Sequence, residues 1–175
     1  RTPGHYLRRL LARLRSEGRI AASDVAMTHG GIPLQPAART FAERMVIVGT
    51  AAGQVKPTTG GGIYYGLLCA DIAAQHLGQG LKSGDLSASS LSRYQRDWQK
   101  LLGKELRTGY WARRLVDHFN DRQLDYIFDI IISTGIGKAI IEADDFSFDW
   151  HSRVVTRLLG DKVFASALMV MKIPF

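Results

Sequence analysis

The sequence predicts a helix-dominated α+β fold with one or two short strands, a glycine-rich loop and a multi-helix C-terminal domain. Three observations predict it. The apolar run Met45-Val46-Ile47-Val48 stops at Gly49, five glycines fall between there and Gly62, and beyond Gly84 apolar residues recur at three- and four-residue steps almost to the end. The 175 residues, 46% hydrophobic, suffice for one domain with a sizeable core. A mean hydropathy near zero predicts a soluble chain.

Tyr6 to Ser16 reads as an amphipathic helix, with Leu7, Leu10, Leu11 and Leu14 on one face and Arg8, Arg9, Arg13 and Arg15 largely on the other. The stripe predicts a core-facing surface, although its arginines would also suit an anionic interface. Gly18 stops it. Asp24 to His29 is expected to form a short strand leading to the turn Gly30-Gly31-Ile32-Pro33, and Pro36 prolongs an extended path. Met45 to Val48 is expected to be a short buried strand. After the glycine loop a helix is expected from Gly61 or Gly62 to about Leu77, buried nearly all round and ended by Gly78 and Gly80.

Further on, Asp85 or Ser87 can cap a helix carrying Leu91, Tyr94, Trp98, Leu101, Leu102 and Leu106, with Arg93, Arg96, Lys100 and Lys104 outward and Gly109 as its end. Tyr110 to Phe119 follows. Asn120 and Gln123 then form a capping-box pair before Leu124, Ile127, Phe128 and Ile131. Ser133-Thr134-Gly135 breaks the pattern, and Ile136 to Ala143 is a short helix. Asp149 is expected to cap one more, and Asp161 the last. No segment has the roughly 18 to 20 unbroken apolar residues of a spanning helix.

Several chemistries are disfavoured. None of the five histidines has metal-ligand spacing to another histidine or to the single cysteine, so no metal is expected. Cys69, among Leu67, Leu68 and Ala70, reads as a buried structural thiol, and one cysteine allows no internal disulfide. Net charge is +7, yet no zinc spacing, RNA-binding strand motif or helix-turn-helix accompanies it. No nucleic-acid partner is expected, and peripheral contact with anionic lipid comes second to simple surface solvation. The acidic run Glu142-Ala143-Asp144-Asp145 reads as linker and cap residues, and Trp150-His151 as packing.

The glycine loop is the best candidate site. Glycine admits positive φ and close approach of a ligand to the backbone, while a helix start offers N–H groups and positive dipole to an anion. A plain tight connection would look the same, and neither Gly-x-Gly-x-x-Gly nor Gly-Lys-Ser/Thr occurs at this turn.

The order Gly49-Thr50-Ala51-Ala52-Gly53, Pro57, Gly60-Gly61-Gly62-Ile63 resembles the second flavin-binding motif of the geranylgeranyl reductase family, in the larger group of p-hydroxybenzoate hydroxylase-like flavoproteins. The resemblance extends through Gly30-Gly31-Ile32-Pro33-Leu34, Tyr64-Tyr65-Gly66-Leu67-Leu68, Leu91-Ser92-Arg93-Tyr94, Trp98, Gly103-Lys104-Glu105-Leu106 and Asp149-Trp150-His151-Ser152. It implies the C-terminal part of an FAD/NAD(P)-binding Rossmann-like flavoprotein. It implies FAD as cofactor, held by Gly49, Thr50, Ala51, Gly53, Pro57, Gly60, Gly61, Gly62 and Ile63, with glycine amides at the flavin's pyrimidine edge. Threonine at position 50 departs from the family's usual aspartate, which bonds a ribityl hydroxyl. Tyr64 and Tyr65 would lie near the flavin, either touching it or packing.

The resemblance further implies reduction of isoprenoid double bonds in lipids or (bacterio)chlorophyll-type substrates, with a C-terminal apolar tunnel that Met169 and Met171 would suit. No general acid or other catalytic residue is identifiable, and the electron donor is not readable. Residues 1–80 would hold the end of the substrate region and the flavin motif, and 81–175 a helical domain. The family's N-terminal dinucleotide-binding unit is absent, and the chain starts at Arg1, so it reads as a fragment, inactive alone and not retaining FAD. A cytoplasmic location is expected, with peripheral attachment to a membrane as the variant. The rival readings are another flavin-dependent dehydrogenase or monooxygenase, and a helical interaction or lipid-surface module that has lost flavin.

Overall fold

The computed structural model describes residues 2–21 and 28–170. The chain falls into two units, residues 1–32 and 33–175. The first is built on α1 (Pro3–Ser16), which starts on a proline whose missing N–H is not needed there. Gly18, at φ +67°, ends it with its N–H on the Arg15 carbonyl. No residue of α1 is buried, so the leucine stripe is half covered rather than core-facing. Of the strand expected at Asp24 to His29, residues 24–27 lie outside the described residues, and 28–29 have no regular structure.

The second unit begins with a two-stranded antiparallel hairpin, β1 (Phe41–Ala42) and β2 (Met45–Val46), in register Phe41 to Val46 and Ala42 to Met45. Met45 is 49% exposed, so β2 is an edge ribbon and not a buried strand. Beyond the strands Ile47 N–H still donates to the Thr40 carbonyl (2.8 Å), and the chain then turns into the glycine loop. Then come α2 (Ile63–Ser83), α3 (Ala88–Val116), α4 (Asp121–Ser133), α5 (Ile136–Ile141), α6 (Ser152–Gly160) and α7 (Lys162–Val170). Helices dominate, with two short strands among the described residues.

Two expected helix ends are overrun. α2 continues through Gly78 and Gly80 to a left-handed Gly84. A Cβ at Gly80 would stand 2.6 Å from Leu86 Cδ2 and 2.8 Å from the Asp85 carbonyl, so this glycine admits the returning chain and does not end the helix. α3 runs seven residues past Gly109. There Pro57 of the glycine loop lies on the helix backbone, and a Cβ would be 3.1 Å from its Cδ. α2 is also less buried than its composition implies. Tyr65, Cys69, Ala73 and Gly80 are covered, while Ile63, Leu67 and Leu81 stand exposed.

α2 and α3 pack through Tyr65, Cys69 and Ala73 against Tyr94, Trp98, Leu102 and Leu106, with Val46, Val48 and Trp150 alongside. α3 keeps the expected inward set except Leu101, which is 44% exposed. Its polar side chains tie down the segment before the loop. Trp98 Nε1 donates to Thr40 Oγ1 (2.9 Å), Thr40 N–H donates to Gln95 Oε1 (2.8 Å), and Tyr94 OH donates to the Ile47 carbonyl (2.9 Å). A second cluster joins Ile127, Phe164 and Leu168. The Asn120 and Gln123 capping box forms reciprocally at 3.0 and 2.9 Å, and Asp161 Oδ1 accepts from Phe164 N–H at the last helix. No described helix is long and apolar enough to cross a membrane.

Burial pushes the Cys69 thiol up to about 12, and the Tyr94 phenol likewise up to about 12. Both stay neutral in the folded chain at pH values where the unfolded chain ionises them. Their contribution is therefore intact below pH 9 and lost as pH rises toward 12. The urea midpoint should hold level to about pH 8.5 and then fall, and a thiol reagent at pH 8 should label Cys69 only after unfolding. Rapid native labelling would contradict this burial.

Candidate functional site

The glycine loop starts with a 3-10 turn, Gly49–Ala52, closed by left-handed Gly53. Gln54, fully buried, organises it. Its Oε1 accepts from Gly49 N–H (2.7 Å), its Nε2 donates to Tyr94 OH (2.9 Å), and its own N–H donates to the Gly49 carbonyl (3.1 Å). Gly53 has no room for a side chain, since a Cβ would be 2.2 Å from the Gln35 carbonyl. Residues 56–61 close on themselves, with Lys56 N–H donating to the Gly61 carbonyl (2.9 Å) and Gly60 N–H to the Lys56 carbonyl (2.8 Å).

The loop is locked from far along the chain. Lys56 Nζ pairs with the Asp149 carboxylate and donates to the Phe148 carbonyl (3.1 Å). Thr58 Oγ1 meets His151 Nδ1 at 2.6 Å, and the His151 Nε2 lies 2.7 Å from the Phe148 carbonyl. Asp149 is thus a partner of the loop and not the cap of α6. That cap comes from Glu105 on α3, 4% exposed, whose Oε1 accepts from His151 N–H (2.5 Å) and Ser152 N–H (2.8 Å). Tyr65 OH donates to the Asp149 carbonyl (2.7 Å), and its ring stands 6.0 Å from that of Trp150. Burial, then the charges of Glu105 and Asp149, hold the Tyr65 phenol well above its ordinary range. It is a packing residue, while Tyr64 stays partly open.

The nine loop residues singled out in the sequence divide into two sets. Gly53 and Pro57 are packed against protein, Pro57 on Gly109. Gly49 lies near the Gly66 backbone, and left-handed Gly60 makes the turn. Thr50, Ala51, Gly61 and Ile63 are exposed, Ile63 at 84%. Half-buried Gly62 joins the sets, because a Cβ there would be 2.8 Å from Thr50 Oγ1. Gly62 also precedes α2 with no side-chain cap, so the helix start faces outward beside the Thr50 hydroxyl. This open face can accept hydrogen bonds at Thr50 and donate them from first-turn amides.

Next to the loop, an apolar groove of about 700 Å³ runs between the end of α3 and α4, α6 and α7. Val116, Phe119, Phe128, Leu159 and Leu168 line it, and Thr58 lies at its edge. Met169 is 71% exposed and lines no part of it, and Met171 lies outside the described residues. Residues 142–145 are linkers as expected. Asp145 pairs with Arg157 (2.7 Å) and Arg153 (3.5 Å), and Glu142 with Lys138 (3.7 Å). No group of three or more potential metal ligands occurs among the described residues. The residues that sequence reasoning missed are Gln54, Lys56, Thr58 and Glu105. A fixed polar spacing could not reveal partners 40 to 93 positions away.

The model of the family described as lycopene cyclase protein matches residues 3–132, well over half of the chain. The chain belongs to this family. Among the relatives this chain is similar to, a digeranylgeranylglycerophospholipid reductase 2 from Methanothermobacter thermautotrophicus is 40% identical over 97 residues, covering 55% of this chain and 25% of that protein. A digeranylgeranylglycerophospholipid reductase from Methanothrix thermoacetophila is 31% identical over 137 residues, covering 78% of this chain and 34% of that one. The chain thus spans a quarter to a third of these relatives. A geranylgeranyl bacteriochlorophyll reductase-like protein from Thermoplasma acidophilum shares the fold over 97% of this chain and 39% of its own, with a TM-score of 0.67 at 19% identity. The similarity to geranylgeranyl reductases, and the partial coverage expected of a C-terminal portion, are both borne out.

Proposed function

We propose that the chain is the C-terminal part of an FAD-dependent reductase that saturates isoprenoid double bonds, with loop 49–62 contributing flavin contacts and the apolar groove holding hydrocarbon. The observation that carries this reading is adjacency. Thr58 belongs both to the glycine loop and to the edge of the groove, so one end of an apolar chain would reach the loop that carries the open face. The names of the relatives support an isoprenoid phospholipid as substrate, with a bacteriochlorophyll-type chain as the variant.

Thr50, Ala51, Gly61, Gly62 and Ile63 would hold the cofactor, while Gly49, Gly53, Pro57 and Gly60 shape the loop that presents them. The open helix start beside the Thr50 hydroxyl fits an oxygen-rich, anionic group. Reduced FAD, when bound, would supply a hydride to one alkene carbon while a proton adds at the other, the flavin being left oxidised. The first-turn amides of α2 would stabilise negative charge at the ring's pyrimidine edge, Thr50 Oγ1 would accept from a ribityl hydroxyl, and the groove's side chains would keep water from the alkene. In this reading residues 1–80 supply the flavin motif of a Rossmann-like flavoprotein and 81–175 the helical cover, working at or near a membrane surface.

The test is flavin content. The full-length protein should purify with absorbance near ~450 nm that dithionite bleaches, and the 175-residue chain alone should not. Thr50→Asp, which restores a carboxylate beside the open helix start, should tighten FAD binding about tenfold in the full-length protein. A colourless full-length protein that neither FAD nor Thr50→Asp reconstitutes would favour the helical interaction module instead.

A further inference from the structure

On the opposite side of the glycine loop's inner wall, residues 35–38 and one face of α3 enclose a second cleft of about 760 Å³. Its position is fixed by the fold. Gly53 lets residues 35–36 press onto the loop, Ala37 N–H donates to the Ala52 carbonyl (3.0 Å), and Gln95 Nε2 donates to the Ala38 carbonyl (3.2 Å). Lys100, Lys104 and Arg107 line it from α3, spaced i, i+4 and i+7, and therefore spread along about 10 Å of one helix face. None of the three makes an ion pair among the described residues, and no carboxylate lines the cleft.

The nearby acids of α3 are turned elsewhere. Asp97 Oδ2 meets His76 Nε2 at 2.7 Å, and Glu105 is buried under the start of α6. Like charges at i, i+4 destabilise a helix, so three uncompensated cations along one wall are a cost that an anion would relieve. Gly103 leaves the floor open, since a Cβ there would meet nothing within 4 Å. Trp111, 66% exposed, offers an aromatic face at one end.

We propose that this cleft is a binding site for a phosphate ester, its oxygens paired with Lys100, Lys104 and Arg107 and its less polar part lying on Trp111. Arginine and lysine supply the donors such oxygens need, and the spread of the three suits a diphosphate or a phosphate head group. The site goes beyond the flavin reading and its test involves no flavin and no turnover.

Binding of the protein to inorganic pyrophosphate is measured by calorimetry. In parallel, it is co-sedimented with vesicles of phosphatidylcholine alone or of phosphatidylcholine with phosphatidic acid. Two triple variants are compared: Lys100→Gln/Lys104→Gln/Arg107→Gln in the cleft, and Arg122→Gln/Lys138→Gln/Lys162→Gln elsewhere with equal loss of charge. The cleft variant should bind at least about tenfold more weakly while the control stays within about twofold. Loss confined to vesicles assigns a lipid head group, and loss confined to pyrophosphate assigns a soluble phosphate ester. Equal loss in both variants, or none in the cleft variant, would overturn the site.

Discussion

Gly53→Ala should destabilise the fold by about 3 kcal/mol or more, the largest effect expected of a single added methyl in this chain. Two costs combine. The residue sits at φ +71°, where any side chain is strained, and the new Cβ would meet the Gln35 carbonyl at 2.2 Å and Pro36 Cα at 2.7 Å, both backbone and unable to swing away. Gly18→Ala is the control, because Gly18 shares the left-handed conformation at φ +67° with nothing within 4 Å of its Cβ. It should cost only about 1 kcal/mol. Urea unfolding of the two variants measures the difference, and equal losses would rule out the contact with residues 35–36 as the cause.

The second large effect is expected at Glu105. Truncation to alanine should remove about 3 kcal/mol, since it leaves the His151 and Ser152 N–H groups without their acceptor and opens space beneath α6. Glu105→Gln keeps one carbonyl oxygen in place and should cost about 1 kcal/mol. The specific readout is hydrogen exchange at those two amides. They should become fast in Glu105→Ala and remain slow in Glu105→Gln. Unchanged protection in the alanine variant would show that Glu105 does not cap α6.

These two residues mark how far the sequence could be read. Local signals were legible where partner and signal are neighbours. The Asn120 and Gln123 capping box, Asp161 at the last helix, and the break at Gly135 all act within a few residues. Glycines were ambiguous, because the letter alone does not separate a left-handed stop from a close approach. Gly84 stops a helix with φ +71°, whereas Gly80 and Gly109 lie inside helices to admit Leu86 and Pro57. Periodicity marked the inward face of α3 through Leu91, Tyr94, Trp98, Leu102 and Leu106. It could not tell that Asp149 pairs with Lys56 while Glu105 takes over the helix start, since nothing local distinguishes one acidic residue from another.

The candidate site was legible as a loop and not as a supported loop. Glycine spacing pointed to residues 49–63, and the structure there turns out to be half scaffold and half open face. Gln54 and Thr58 look like ordinary polar loop residues in the sequence. Their weight comes from Tyr94 and His151, 40 and 93 positions away.

That reach has a consequence for the order in which the molecule is made. Lys56 and Thr58 find Asp149 and His151 only after 93 further residues have been joined to the growing chain. At roughly 5–20 residues per second, the loop waits several seconds or longer on the ribosome with its outer clasp open. The hairpin, α2 and α3 can associate in that interval, whereas the clasp is among the last contacts to close. Birth order thus separates building the glycine loop from fastening it.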